Sequence, residues 1–268
     1  MLSLTKFVKI NLEDKMTGEK FEELMKVMYR LRKECPWDKE QTHDSIKSAT
    51  LEEAYEVVSA IEEKDYEDLK GELGDLLLHI VFHSVIAEES KRFDINEVIQ
   101  GITDKLIRRH VHIFGGVEVK DNSEIEKNWE TIKLEEGRES VLEGVPQTMP
   151  ALHRAFRLQE KASKVGFDWD NSNDVWQKVI EEIEELKELK DEKDVEKLEE
   201  EFGDVLFSLV NFARFLKINP ENALRRTSNK FVKRFQFIEK KLKENGKKIT
   251  ESNLEEMDKY WEEAKKQT

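Results

Sequence analysis

The chain has 268 residues, with 45 Lys+Arg against 59 Asp+Glu, a formal charge of −14, and 39% charged against 38% hydrophobic residues. That length supports one or two domains with their own cores, and the acidic balance argues against specific or non-specific nucleic-acid binding. No run of about 18 apolar residues is present to cross a membrane, and the single cysteine, Cys35, cannot form an internal disulfide, so the expected location is cytoplasmic.

In chain order, residues 1–18 read as a short extension without the apolar core of a secretory signal. Helical spacing begins with Phe21, Leu24, Met25, Met28 and Leu31, the three-four rhythm of one buried face. Leu51, Ala54, Tyr55 and Val58 predict a second such face, and 73–85 is apolar nearly all round, which predicts a central helix. The stretch 110–120 alternates briefly around two glycines and reads as a loop or small hairpin. Two of the four prolines, Pro146 and Pro150, fall with Gly137 and Gly144 in a helix-breaking linker over 137–150. Beyond it, helices are expected over about 174–189 and 195–216, joined by a turn near 190–194. The fold class is therefore all-α, with one module over 19–136 and a second over 151–268.

The second module repeats the first. LEEAYE followed by GELGD becomes IEEIEE followed by EEFGD, so that Glu53, Glu56, Glu72 and Asp75 match Glu182, Glu185, Glu201 and Asp204 at a constant spacing of 129 residues. Cys35–Asp38 (CPWD) pairs with Val165–Asp168 (VGFD), Lys105 and Arg109 with Lys230 and Arg234, and Lys127-Asn-Trp129-Glu with Lys259-Tyr-Trp261-Glu. Chance acidic matches are common in so charged a chain, but four ordered blocks at nearly one spacing indicate duplication.

Carboxylates three residues apart share a helix face. Folding each helix pair antiparallel brings the two acidic pairs to one level, and four anions at close range raise one another's pKa unless a cation joins them. The donors are all oxygen, which suits a hard divalent ion: Mg²⁺, with Mn²⁺ as a substitute. Gly74 and Gly203, directly before the aspartates, point to close packing of another helix or a ligand there, since a mid-helix glycine costs about 1 kcal/mol relative to alanine. Glu184, Glu188, Glu196, Glu199 and Glu200 read instead as an ordinary solvated face.

The two copies differ in charge. Residues 225–248 carry a net +8 beside a net −9 over 181–204, an arrangement suited to a polyphosphate held partly by metal and partly by Lys and Arg. Lys178 stands four residues before Glu182, where the first copy has Ala49. His79 and His83 lie in an apolar helix and read as satisfied core or interface histidines rather than ligands, and Cys35 reads as structural. His110 and His112 would need further ligands to hold zinc. No GxxxxGK[ST] phosphate loop occurs.

These residues resemble the MazG family of nucleoside triphosphate pyrophosphohydrolases. Its EExxE…ExxD hallmark occurs twice, and CPWDKEQTH, RRHVHIFG, EGVPQTMPAL and KVGFDW also resemble tandem MazG proteins over about residues 20–266. The resemblance implies two tandem four-helix-bundle-like modules, a homodimer, and Mg²⁺-dependent cleavage of NTPs and dNTPs to the monophosphate and pyrophosphate. It implies that Glu182, Glu185, Glu201 and Asp204 hold metal in a catalytic second module, with Glu53, Glu56, Glu72 and Asp75 as the matching set. It further implies that Lys178, Lys230, Arg234 and Trp261 contact nucleotide, while Glu181 orients water beside Glu182. The rival readings are a narrower dUTP, dCTP or phosphoribosyl-ATP hydrolase and a non-catalytic Mg-nucleotide-binding regulator. A di-iron bundle lacks its usual Glu-x-x-His pairs.

Overall fold

The computed structural model describes residues 15–137, 139–189 and 194–266, and every regular element among them is helical. Residues 1–14 of the expected extension and 190–193 of the expected turn lie outside the described residues, as does the side chain of Lys127. The contacts divide the chain into two compact units after Val119.

The first unit comprises α1 (Lys15–Glu34), α2 (Pro36–Glu40), α3 (His43–Glu63), α4 (Tyr66–Glu89), α5 (Ile95–Arg109) and α6 (Val111–Phe114). Residues 15–18 thus belong to the first helix rather than to an extension. The single turn of α6 stands where a loop or hairpin was expected. Polar caps set the boundaries. Thr42 accepts from Ser45 N to start α3, and Asp65 accepts from the amides of Glu67 and Asp68 to start α4. Between them Lys64 adopts the left-handed conformation, φ 59°, that ends α3.

The core of this unit is Met25, Met28, Ile46, Val81, Phe82, Val85 and Ile95, with Phe21 and Leu24 packed against it. The predicted α1 face holds except for Leu31, which stays half exposed. On α3 the inward face differs from the expected one. Ile46 and Ala60 are buried and Thr50 and Glu53 partly so, while Leu51 and Tyr55 are exposed. The carboxylate side of α3 faces α4, so apolar residues are displaced outward. Helix α4 is likewise buried on one face only: Val81, Phe82 and Val85 are inside, but Leu73, Leu77, Leu78 and Ile80 are uncovered.

The second unit comprises α7 (Asn122–Glu135), α8 (Ala151–Ser163), α9 (Ser172–Glu188), α10 (Val195–Phe215), α11 (Pro220–Glu244) and α12 (Leu254–Lys265), with a 3₁₀ turn at Ile249–Glu251. Asn171 caps α9, and Asp194 caps α10 as Asp65 caps α4, again 129 residues apart. Helices α9 and α10 form the main pair, and α8 packs on α10 and α11. Within the 137–150 segment, the carbonyl of Val141 accepts from the buried Lys161 Nζ at 2.8 Å, fixing that segment to α8. The exposed row Leu206, Phe207 and Leu209 on α10 parallels the uncovered row on α4. A methyl group added at Gly74 or Gly203 would meet nothing within 4 Å among the described residues, so none of the described helices packs closely on that side of either glycine.

Candidate functional site

In the second unit, α9 presents Lys178, Glu181, Glu182 and Glu185, and α10 presents Glu201 and Asp204. One carboxylate oxygen from each of Glu182, Glu185 and Glu201 lies within 4.8 Å of the others. Asp204 is not among those atoms. It instead lines a cavity of about 690 Å³ together with Glu182 and Lys178. Glu182 is buried, whereas Glu185 is exposed. Partial loss of solvent, followed by repulsion from Glu182, pushes the Glu185 carboxyl above its usual range, and Lys178 opposes the shift.

Lys178 is bound within the cluster. Its Nζ donates to Glu181 Oε1 at 2.8 Å and lies 2.7 Å from Glu182 Oε1. Hydrogen bonds to Glu181 and then Glu182 raise its pKa further above the ordinary lysine value, so it carries a full charge at neutral pH. An i, i+4 lysine thus serves as an internal counter-ion for the carboxylates. Glu181 is more than half exposed at its side chain, at the edge of the cluster.

The first unit repeats the carboxylates but not their surroundings. Ligand atoms of Glu53, Glu56 and Glu72 lie within 4.8 Å of one another, and Asp75 is outside that set. Glu53 Oε2 and Glu72 Oε2 are buried without a hydrogen-bond partner. Burial and then the hydrogen bond with Glu56 push the Glu72 carboxyl upward. Buried carboxylate oxygens lacking a donor are costly, and an all-oxygen set of this size fits a hard divalent cation.

In the first unit a histidine, not a lysine, stands beside the carboxylates. His79 Nε2 stands 3.9 Å from Glu53 Oε1, and His79 Nδ1 is 3.0 Å from Thr50 Oγ1. Thr50 Oγ1 also lies 3.0 Å from His83 Nε2, and His83 Nδ1 is 2.8 Å from His43 Nδ1. Thr50 thus links His79 to His83, and His83 pairs with His43. The structural counterpart of His79 in the second unit is the small buried Ser208, which lines the cavity.

The remaining expected ligands lie apart from that cavity. Arg234 sits over the Trp261 ring at 5.6 Å, and Phe231 packs against Trp261 at 5.3 Å between centroids. None of Lys230, Arg234 and Trp261 lines the cavity beside the carboxylates. Sequence reasoning missed Gln159, Asn211 and Arg214, which do. Arg214 grips Asp168 through both terminal guanidinium nitrogens, Nη1 at 2.9 Å from Oδ2, and also donates to Asn211. Asp168 had stood out as part of the repeated CPWD/VGFD block; nothing in the sequence marked its partner.

The family model described as "MazG nucleotide pyrophosphohydrolase domain" matches residues 41–114 and 171–237. The chain is 46% identical over 256 residues to the "Nucleoside triphosphate pyrophosphohydrolase/pyrophosphatase MazG" of Thermotoga maritima, covering 94% of this chain and 98% of that protein. It is 43% identical over 253 residues to the "Nucleoside triphosphate pyrophosphohydrolase" of Escherichia coli K12, covering 91% and 96%. A solved structure described as a "mazG-related protein from Thermotoga maritima" aligns at 26% identity and a TM-score of 0.38, over 42% of this chain and 98% of that one. The domain model matches twice, each time over one carboxylate cluster, and the likeness to the relatives runs nearly end to end: the chain belongs to the MazG nucleotide pyrophosphohydrolase family.

Proposed function

We propose that this protein hydrolyses nucleoside triphosphates, over a broad NTP and dNTP range, to the monophosphate and pyrophosphate, with Mg²⁺ held by the second unit. The observation that carries this reading is the cluster of Glu182, Glu185 and Glu201 opening onto a large cavity, with Lys178 at the junction. Full-length relatives named for nucleoside triphosphate pyrophosphohydrolysis support it.

The roles follow from placement. Glu182, Glu185 and Glu201 hold the cation, and Asp204 completes the set from the cavity wall. A divalent cation bound there neutralises phosphate oxygens and acidifies water in its shell. With a cation held by the carboxylates, the Lys178 ammonium would be free to bind the phosphate chain. Glu181, exposed beside it, orients the attacking water and accepts its proton. Pyrophosphate leaves from the α-phosphorus. Positioning and charge stabilisation supply most of the rate in such transfers. Lys230, Arg234 and Trp261 form a separate basic and aromatic spot that meets the substrate only if it reaches beyond the cavity.

The first unit, with Glu53, Glu56, Glu72 and Asp75, holds a cation but supports rather than performs the reaction. His79 occupies the level where Ser208 leaves space, and Ala49 provides no ammonium. The same proposal keeps the limits of the repeated modules at 19–136 and 151–268 with the linker between, although by contacts α7 falls with the second unit, and it keeps a cytoplasmic location. It also includes a homodimer that covers the exposed apolar rows of α4 and α10, since such contiguous patches mark contact surfaces. No helix among the described residues is long and apolar enough to cross a membrane.

The test is product analysis with each NTP and dNTP plus Mg²⁺. Pyrophosphate and monophosphate are expected; orthophosphate, or no turnover, overturns the proposal. Glu182→Gln should lower kcat by about 100-fold or more, whereas Glu53→Gln should change it little. The reverse order would transfer the reaction to the first unit.

A further inference from the structure

We propose that the cavity beside the second carboxylate cluster seats the nucleobase, and that Gln159 reads a base N–H there; this rests on the function proposed above. Gln159 lies on α8 and is only 8% exposed. Its Nε2 donates to the backbone carbonyl of Phe207 on α10 at 2.9 Å. A carbonyl accepts only from the nitrogen end of an amide, so this bond fixes which way the side chain points. Its oxygen end, Oε1, is buried and accepts no hydrogen bond.

Such an orphaned acceptor costs about 1–3 kcal/mol, and Gln159 is one of the residues that line the cavity. A small rotation about the soft terminal torsion presents Oε1 to a ligand in the cavity. The cavity walls define the class of ligand. Phe207, Leu158 and Leu142 give apolar surface, and Phe167 and Trp169 expose 82% and 45% of their areas at its rim. Flat aromatic walls favour a planar partner. Lys178, Glu182 and Asp204 line the same cavity, and Glu182 is shared with the carboxylate cluster. A ligand suited to both sets of residues is planar and N–H-bearing at one end and anionic and metal-chelating at the other. A nucleoside triphosphate has that form.

The test pairs ATP with purine riboside triphosphate, which lacks the exocyclic amino group, and CTP with its 2-pyrimidinone counterpart. The intact protein should favour each amino-bearing substrate by about tenfold or more in kcat/KM, the effect of one lost hydrogen bond to a buried acceptor. Gln159→Leu should remove that preference by lowering kcat/KM for ATP and CTP while leaving the two analogues nearly unchanged. As a second variant on an exposed rim residue that tolerates change, Trp169→Leu should raise KM for ATP about fivefold with kcat retained. Equal losses on ATP and its analogue in Gln159→Leu would make Gln159 merely structural. Together with an unaltered KM in Trp169→Leu, that result overturns the placement of the base. If the intact protein releases pyrophosphate and only these selectivities fail, this inference falls alone. If it releases none from any triphosphate, the function proposed above falls first.

Discussion

Replacing Lys178 by methionine separates two roles that one ammonium combines. The substitution keeps most of the stem and removes the charge that lies 2.7 Å from Glu182 and 2.8 Å from Glu181. At 2.7 Å a pair of unit charges is worth about 1.5 kcal/mol in bulk water and about 6 kcal/mol at an effective dielectric constant of 20. The Lys178 side chain is 34% exposed, so solvent screening places the net value near the lower limit, about 1 kcal/mol. The metal-free protein should therefore lose about 1 kcal/mol of stability in urea unfolding. Affinity for Mg²⁺ or Mn²⁺ should move the opposite way, tightening about fivefold in a calorimetric titration, because the cation no longer displaces a lysine from Glu182. Turnover should fall even so. Losing a charged hydrogen bond to phosphate costs about 1.5–3 kcal/mol, or roughly 10- to 150-fold in kcat/KM. Weaker or unchanged cation binding would refute the counter-ion role, and an unaltered kcat/KM would refute the phosphate role.

Two other substitutions probe the first unit. Glu89 is held below the usual carboxylate range chiefly by its hydrogen bond from the buried Arg32, at 2.9 Å through Nε, with burial acting in the opposite direction. A lowered folded pKa gives stability that is present above the usual glutamate value near about 4.3 and is lost as the pH falls through the folded value. Glu89→Gln should accordingly cost about 1 kcal/mol at pH 7 and flatten the acid limb of the stability curve below about pH 5; an unchanged acid limb in urea titrations counts against the pair. Gly101 lies inside α5, and a methyl group there meets nothing within 4 Å. Gly101→Ala should stabilise the protein by up to about 1 kcal/mol, visible as a higher Tm; a lower Tm would mean that another surface covers this face.

The helical class, the two modules and the two carboxylate clusters were legible from the sequence because they depend on local spacing. Acids at i and i+3 share a helix face whatever the helix packs against, and a separation of 129 residues repeated four times needs no coordinates to be recognised. The caps, which the sequence reading did not single out, are equally local: Asp65 and Asp194 accept from the amides that follow them. What failed was the inference from apolarity to burial. Leu51 and Tyr55 look like a core stripe, yet α3 turns Thr50 and Glu53 inward. Periodicity identifies an apolar face without saying what covers it.

Tertiary structure alone decided the environment of each cluster. Ala49 against Lys178 could be read off the chain, but His79 against Ser208 gained meaning only when one ring stood 3.9 Å from Glu53 and the other position opened onto a cavity. Gln159, Asn211 and Arg214 reach that cavity from α8 and α10, helices separated by more than thirty residues of sequence. Asp204, outside the three clustered carboxylates, lines the cavity, and Trp261 packs against Phe231 and beneath Arg234. The sequence by itself thus determined the charges and their repeat, since these follow from helix geometry within a few residues. The cavity beside Glu182 and Ser208 arises where side chains from different helices meet, which no local pattern encodes.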